Sequence, residues 1–327
     1  MGKFLESEKI EQIAWKATSP TISEQARGEG FFRGKFRPFC LPQQYAEENL
    51  FPPIREEALE FFREKRISWH QGSAGKPSSH LCDSQVCGVN FLFPFANRPD
   101  ELARLLKPIF PNIQRMLPVE DKRYVSFEWI GEENYLEERV QRDGVRTRGA
   151  NFTSPDAIVM FEDVNCKRQV VLIEWKYTES YSGNYLGIAD SGTDRRQIYQ
   201  HLFDNPACVI DLNKLPDLDS LYYEPFYQFM RQQFLAAKME EARELGADHV
   251  RLLHIAPRIN LDFTKITSPK LIGLGKSATE VWGNLVRVGE NFISVKTEDL
   301  FLNFASAEME DWNAYIRTRY RWVAHKE

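Results

Sequence analysis

The chain has 327 residues, 43% hydrophobic and 27% charged, a soluble-globular composition long enough for one or two domains with a sizeable core. No apolar run approaches the roughly 18 residues of a membrane span, and the opening MGKFLESEKIEQIAWKA has no signal-peptide core, so a cytoplasmic location is expected. A net charge of −5 excludes a generic polyanion-coating protein, and five cysteines at irregular spacing fit a reducing compartment better than a disulfide framework.

Along the chain, the amphipathic stretch Glu6 to Lys16 predicts a helix. GFFRGKFRPF then mixes Arg33, Lys35 and Arg37 with Phe31, Phe32, Phe36 and Phe39. The preferred reading is a strand packing its phenylalanines; the alternative is an aromatic and basic grip on nucleic acid. A helix is predicted from Ile54 to Lys65, and Gln71 to His80 has loop composition. His70, His80, Cys82 and Cys87 lack the paired spacing of a structural zinc site, so buried cysteines are expected there. Arg98 to Leu106 reads as a helix and Arg123 to Ile130 as a strand. Between them and the next strand lies a basic stretch with Arg139, Arg142, Arg146 and Arg148, placed to contact phosphates.

The stretch SPDAIVMFEDVNCKRQVVLIEWKY, Ser154 to Tyr177, predicts a β-hairpin. Asp156, Ile158 and Met160 share one strand face; Leu172, Glu174 and Lys176 share a face of the second. A turn near Asn165 and Cys166 sets Asp156 opposite Trp175, give or take a residue. Two carboxylates and an ammonium then converge at the end of an apolar strand pair. Hard divalent cations such as Mg²⁺ take one or two carboxylates and keep several waters, and a lysine beside them orients an attacking water. An ordinary exposed i, i+2 ion pair is the competing reading, but the apolar run Val170 to Ile173 argues that Glu174 and Lys176 extend a buried strand.

Downstream, Asp194 to Phe203 and Glu224 to Leu245 read as helices, HVRLLHIA as a buried strand and AEMEDWNAYIRTRYRW as a C-terminal amphipathic helix. No phosphate-binding glycine loop is present in the sequence, so ATP-driven action by this chain is not expected.

Pro155-Asp156 followed by Glu174-Trp175-Lys176 resembles the motif of the PD-(D/E)XK nuclease superfamily. The resemblance implies an α/β (α+β) restriction-endonuclease-like core, a mixed central sheet flanked by helices, spanning residues 94–327. Residues 1–93 would form an N-terminal helical accessory region packed on it. It further implies Mg²⁺, with Mn²⁺ as substitute, on Asp156, Glu174 and the carbonyl of Trp175, and Lys176 positioning the water. A further upstream glutamate is expected: Glu138 is favoured and Glu128 is second, with Glu132, Glu133 and Glu137 read as a solvated acidic face. Gln197 and Tyr199 have the wrong spacing for the exonuclease-like Gln-x-x-x-Tyr subset, though Gln197 remains a candidate contact for a phosphate or the water. The implied activity is hydrolysis of DNA phosphodiester bonds, endonucleolytic rather than exonucleolytic, by a chain able to act as a homodimer. The alternatives are an inactive nucleic-acid-binding or interaction protein on the same fold, or another metal-dependent hydrolase.

Overall fold

A computed structural model describes residues 2–140, 144–149 and 152–324. In chain order, helix α1 (Lys3–Thr18) precedes a small hairpin of β1 (Gly30–Phe32) and β2 (Lys35–Arg37). Helices α2 (Arg55–Glu64), α3 (Ser84–Leu92) and α4 (Pro99–Leu106) follow, then β3 (Ile113–Leu117), β4 (Val125–Phe127), β5 (Ala157–Asp163) and β6 (Arg168–Trp175). Next come α5 (Arg195–Phe203), α6 (Phe226–Ala242), β7 (His249–Ala256), α7 (Ala278–Leu285), β8 (Phe292–Lys296), α8 (Thr297–Phe301) and α9 (Glu310–Arg319).

Six strands form one mixed sheet in the order β3-β5-β6-β7-β8, with β4 beside the N-terminal half of β5. β5 and β6 are the antiparallel hairpin expected from the sequence, whereas β6, β7 and β8 run parallel. Every residue of β6 after Arg168 is buried, as a strand covered on both faces requires. The turn closes on Asp163, whose Oδ1 accepts the N–H groups of Asn165 and Lys167 at 2.8 and 2.9 Å, while Cys166 adopts φ 59°.

Strand alternation divides the interior in two. Ala157, Val159, Phe161, Ile173 and Trp175 face a core shared with α1, α2, α3 and α9, so N-terminal and C-terminal segments cover the same side of the sheet. Ile158, Met160, Val170 and Leu172 face a second core built with α5, α6 and α7. Gly88 of α3 lies against the Trp175 ring; a Cβ there would stand 3.2 Å from it, so a larger residue would push helix and strand apart. This mixed sheet with helices on both faces is the restriction-endonuclease-like architecture that the hairpin motif implies. Among the described residues no helix is long and apolar enough to cross a membrane.

Candidate active site

The hairpin register is Ala157 with Ile173, and continuing it by one residue sets Asp156 opposite Glu174, one place from the expected Trp175. Asp156 stands just ahead of β5, where its Oδ2 accepts the Trp175 N–H at 2.7 Å. Glu174 is 1% exposed, near the end of β6, and Lys176 is 5% exposed, just past that end. The Lys176 ammonium pairs with Glu174 Oε1, and Glu174 Oε2 accepts the side-chain amide of Gln232 from α6. The backbone N–H of Lys176 donates to the Ile255 carbonyl at 2.8 Å, so the strand end is pinned to β7 as well.

These charges shape one another. Burial raises the Asp156 carboxyl well above the usual range; nearby Glu174 adds to the shift, and Lys176 partly offsets it. Burial disfavours the Lys176 ammonium, yet Glu174, Tyr181, Glu179 and Asp156 outweigh it and hold the group well above an ordinary lysine. Lys176 is therefore a fixed positive charge among carboxylates rather than a free base.

Of the two upstream glutamates, Glu128 is the one brought to Asp156. Its N–H donates to the Asp156 carbonyl at 3.2 Å, and its carboxylate accepts Gln85 Nε2 and Ser154 Oγ, each at 2.8 Å. Burial raises the Glu128 carboxyl, His70 at 3.8 Å opposes that shift, and Glu174 adds to it. The predicted strand Arg123 to Ile130 shrinks to Val125–Phe127 because Glu128 turns out of it at φ 51°, a backbone conformation that side chains rarely adopt. The Glu138 carboxylate is bonded to other partners: it accepts Thr153 N–H at 2.7 Å, Thr153 Oγ1 at 2.6 Å and the Tyr199 hydroxyl at 2.8 Å. It clamps the segment entering Asp156 onto α5.

Gln197 lies exposed on α5. The glutamine that reaches Glu174 is Gln232, which sequence reasoning passed over inside a helix read only for its apolar face. The pair Gln232-Gln233 on an otherwise buried stretch was the available signal. His254 of β7, the register partner of Glu174, was also passed over; its Nδ1 lies 3.0 Å from Ser294 Oγ and its ring stacks on Phe263.

The basic stretch is partly committed to the protein itself. Arg148 makes two bonds to Glu120, at 2.7 and 3.2 Å, and lies 4.5 Å over the Trp129 ring. Arg146 donates to the carbonyls of Ile130 and Glu132 at 2.5 and 2.9 Å. Arg139 is exposed, and Arg142 lies outside the described residues. His80, between Phe32 and Phe39, accepts the Cys82 N–H at 3.1 Å.

Whether the centre suits a divalent cation is tested by its unsatisfied atoms. Gln232 Oε1 and His254 Nε2 are buried with no hydrogen-bond partner among the described residues, and buried Glu174 Oε1 meets only the Lys176 ammonium. Asp156, whose carboxyl burial and nearby Glu174 push up, stands with Glu174 beside a single ammonium. Among the described residues no three His, Cys, Asp or Glu side chains gather into a ready-made metal cage. Two carboxylates without a full protein shell around them suit Mg²⁺, which retains waters, better than an ion needing such a shell.

A family model described as "Restriction Endonuclease associating with ARP" matches residues 9–321. No curated protein and no solved structure matches the chain.

Proposed function

Because the chain belongs to this restriction-endonuclease family, matched across residues 9–321, we propose that it is a Mg²⁺-dependent nuclease hydrolysing phosphodiester bonds in DNA. The observation that carries the reading is the convergence of half-buried Asp156 with buried Glu174 and Lys176 at one strand end, with Glu128 bonded to Asp156. Asp156 and Glu174, with the Trp175 carbonyl, are the residues that would hold Mg²⁺ or its substitute Mn²⁺. When bound, the cation polarises the phosphoryl oxygen and activates water.

The remaining work belongs to the chain. Lys176 holds its proton, so it orients the attacking water and offsets charge developing on phosphorus. Gln232 and the Trp175 N–H fix the carboxylates of Glu174 and Asp156, sparing them reorganisation during the reaction. Glu128 ties the residues ahead of Asp156 to α3 through Gln85, and we give it the role of the upstream glutamate. Gln232 takes the part sought in Gln197, and Glu138 is a positioning residue. Exposed Arg139 remains for phosphate contact, with endonucleolytic cutting the preferred mode. Association with ARP, which the family description names, belongs to the same proposal.

The test is cleavage of supercoiled and linear DNA in Mg²⁺, Mn²⁺ or chelator. Chelation, Asp156→Ala and Lys176→Ala should each abolish cutting. Undiminished cutting by both variants would overturn the assignment.

A further inference from the structure

The phenylalanine-rich segment does not pack as a core strand. β1 and β2 pair Phe31 with Phe36 and Phe32 with Lys35, joined by Arg33 at φ 46° and Gly34 at φ 80°. Both positive angles are what a tight two-residue hairpin turn demands. Alternation sends Phe32 inward, where it and Phe39 hold His80 between them with ring centroids 5.0 Å away. Phe31 and Phe36 are sent outward, 57% and 67% exposed, edge to face at 5.4 Å. The base of the hairpin is fixed: Gly30 N–H donates to Cys40 at 3.1 Å, and a Cβ on Gly30 would strike the Leu41 carbonyl. Two aromatic rings are thus presented to solvent on a rigid support.

Charge identifies what they face. Arg33, Lys35 and Arg37 form no ion pair with any carboxylate among the described residues. A groove of about 520 Å³ is lined by Arg33 and Arg37 and also by Thr178 and Glu179, two and three residues beyond Lys176. Its carboxylates are engaged: Glu6 pairs with Lys9, Asp83 caps α3, and Glu179 accepts the Tyr177 N–H. Two copies of this chain meeting hairpin to hairpin would set like charges against one another. A polyanion with flat apolar faces suits both the cations and the rings.

We propose that the β1–β2 hairpin binds an unpaired strand of nucleic acid, stacking bases on Phe31 and Phe36 while Arg33, Lys35 and Arg37 hold its phosphates beside the groove that Thr178 and Glu179 also line. The proposal deepens the nuclease reading and rests on it for the direction of the strand. It names a substrate with single-stranded character next to the cut.

Binding is read by fluorescence anisotropy on the full chain in chelator, where nothing is cut. The probes are a labelled oligothymidylate, an abasic strand of equal length and a blunt duplex. The parent should prefer the oligothymidylate to the abasic strand. F31A/F36A should lose about tenfold in affinity per stacked base and fall to the abasic level, while F31Y/F36Y retains binding. R33A/K35A/R37A should flatten the logarithmic salt slope by about 2. Unchanged oligothymidylate affinity in F31A/F36A, as expected of a protein-docking surface, would overturn the proposal. So would equal binding of the abasic strand by the parent. Because no catalysis is read, such a failure leaves the Asp156 centre standing, and an inactive centre leaves this result standing.

Discussion

Replacing Lys176 by Met probes the charge balance on which the site depends. Lys176 and Glu174 are 5% and 1% exposed, and Asp156 adds a second, half-buried carboxyl beside them. Removing the ammonium leaves Glu174 and Asp156 without a buried countercharge. Breaking one side of such a pair costs about 3–5 kcal/mol, against roughly 1 kcal/mol or less for an exposed pair. The expected loss in chelator at neutral pH is therefore about 3–5 kcal/mol, a large share of a typical 5–15 kcal/mol total. Glu174→Gln in the same chain removes the stranded charge and should recover much of it. The loss should also depend on pH. A carboxyl whose folded-state value is raised binds its proton more tightly folded than unfolded, so stability falls as pH rises above the ordinary carboxylate range. Without Lys176 that fall should deepen, and the variant should approach the parent under acidic conditions. Denaturant titration of the parent, K176M and E174Q/K176M at several pH values measures each quantity. A cost under about 1 kcal/mol for K176M, or additive losses in the double variant, would refute a buried, coupled pair.

The remaining predictions separate catalytic from supporting residues. Glu128→Gln should lower the cleavage rate by a hundredfold or more on the scale of a lost catalytic group. Glu138→Gln should instead lower stability by about 1–3 kcal/mol, through the bonds to Thr153 and Tyr199, and spare more of the rate. Gln232→Ala should slow cleavage while Gln197→Ala leaves it unchanged; equal effects would show that contact with Glu174 is irrelevant. Burial pushes Glu8, hydrogen-bonded to Tyr177, up to about 7 from 4.5. The folded chain then holds the proton more tightly, so stability declines between about pH 4.5 and 7 and stays level above. The decline is about 3 kcal/mol, which Glu8→Gln should abolish in thermal melts across that window.

The hairpin was legible because its determinants are local. Alternation, the apolar run Val170 to Ile173 and the polar turn all lie within two dozen residues. Its register slipped by one because Cys166 takes a left-handed conformation and the turn centres on Asn165 rather than between Asn165 and Cys166. Strand β4 ended early because the Glu128 backbone turns away to meet Asp156, a strain no propensity reports. Helix α6 was visible by composition, but only docking onto β7 decides that Gln232 faces Glu174. The same limit hid Glu138's attachment to Thr153 and Tyr199. For the Phe-rich segment, composition suggested burial, whereas a two-stranded hairpin has only one side to bury. Strands β3 and β8 went unread because each is short and owes its place to a neighbour already in the sheet.

The shared-cation centre is tested most directly by anomalous diffraction from crystals of the chain soaked in Mn²⁺. The expected result is one strong peak between the carboxylates of Asp156 and Glu174, close to the Trp175 carbonyl and lost in Asp156→Asn. Strong binding elsewhere with this site empty, or a peak unchanged in Asp156→Asn, would contradict it.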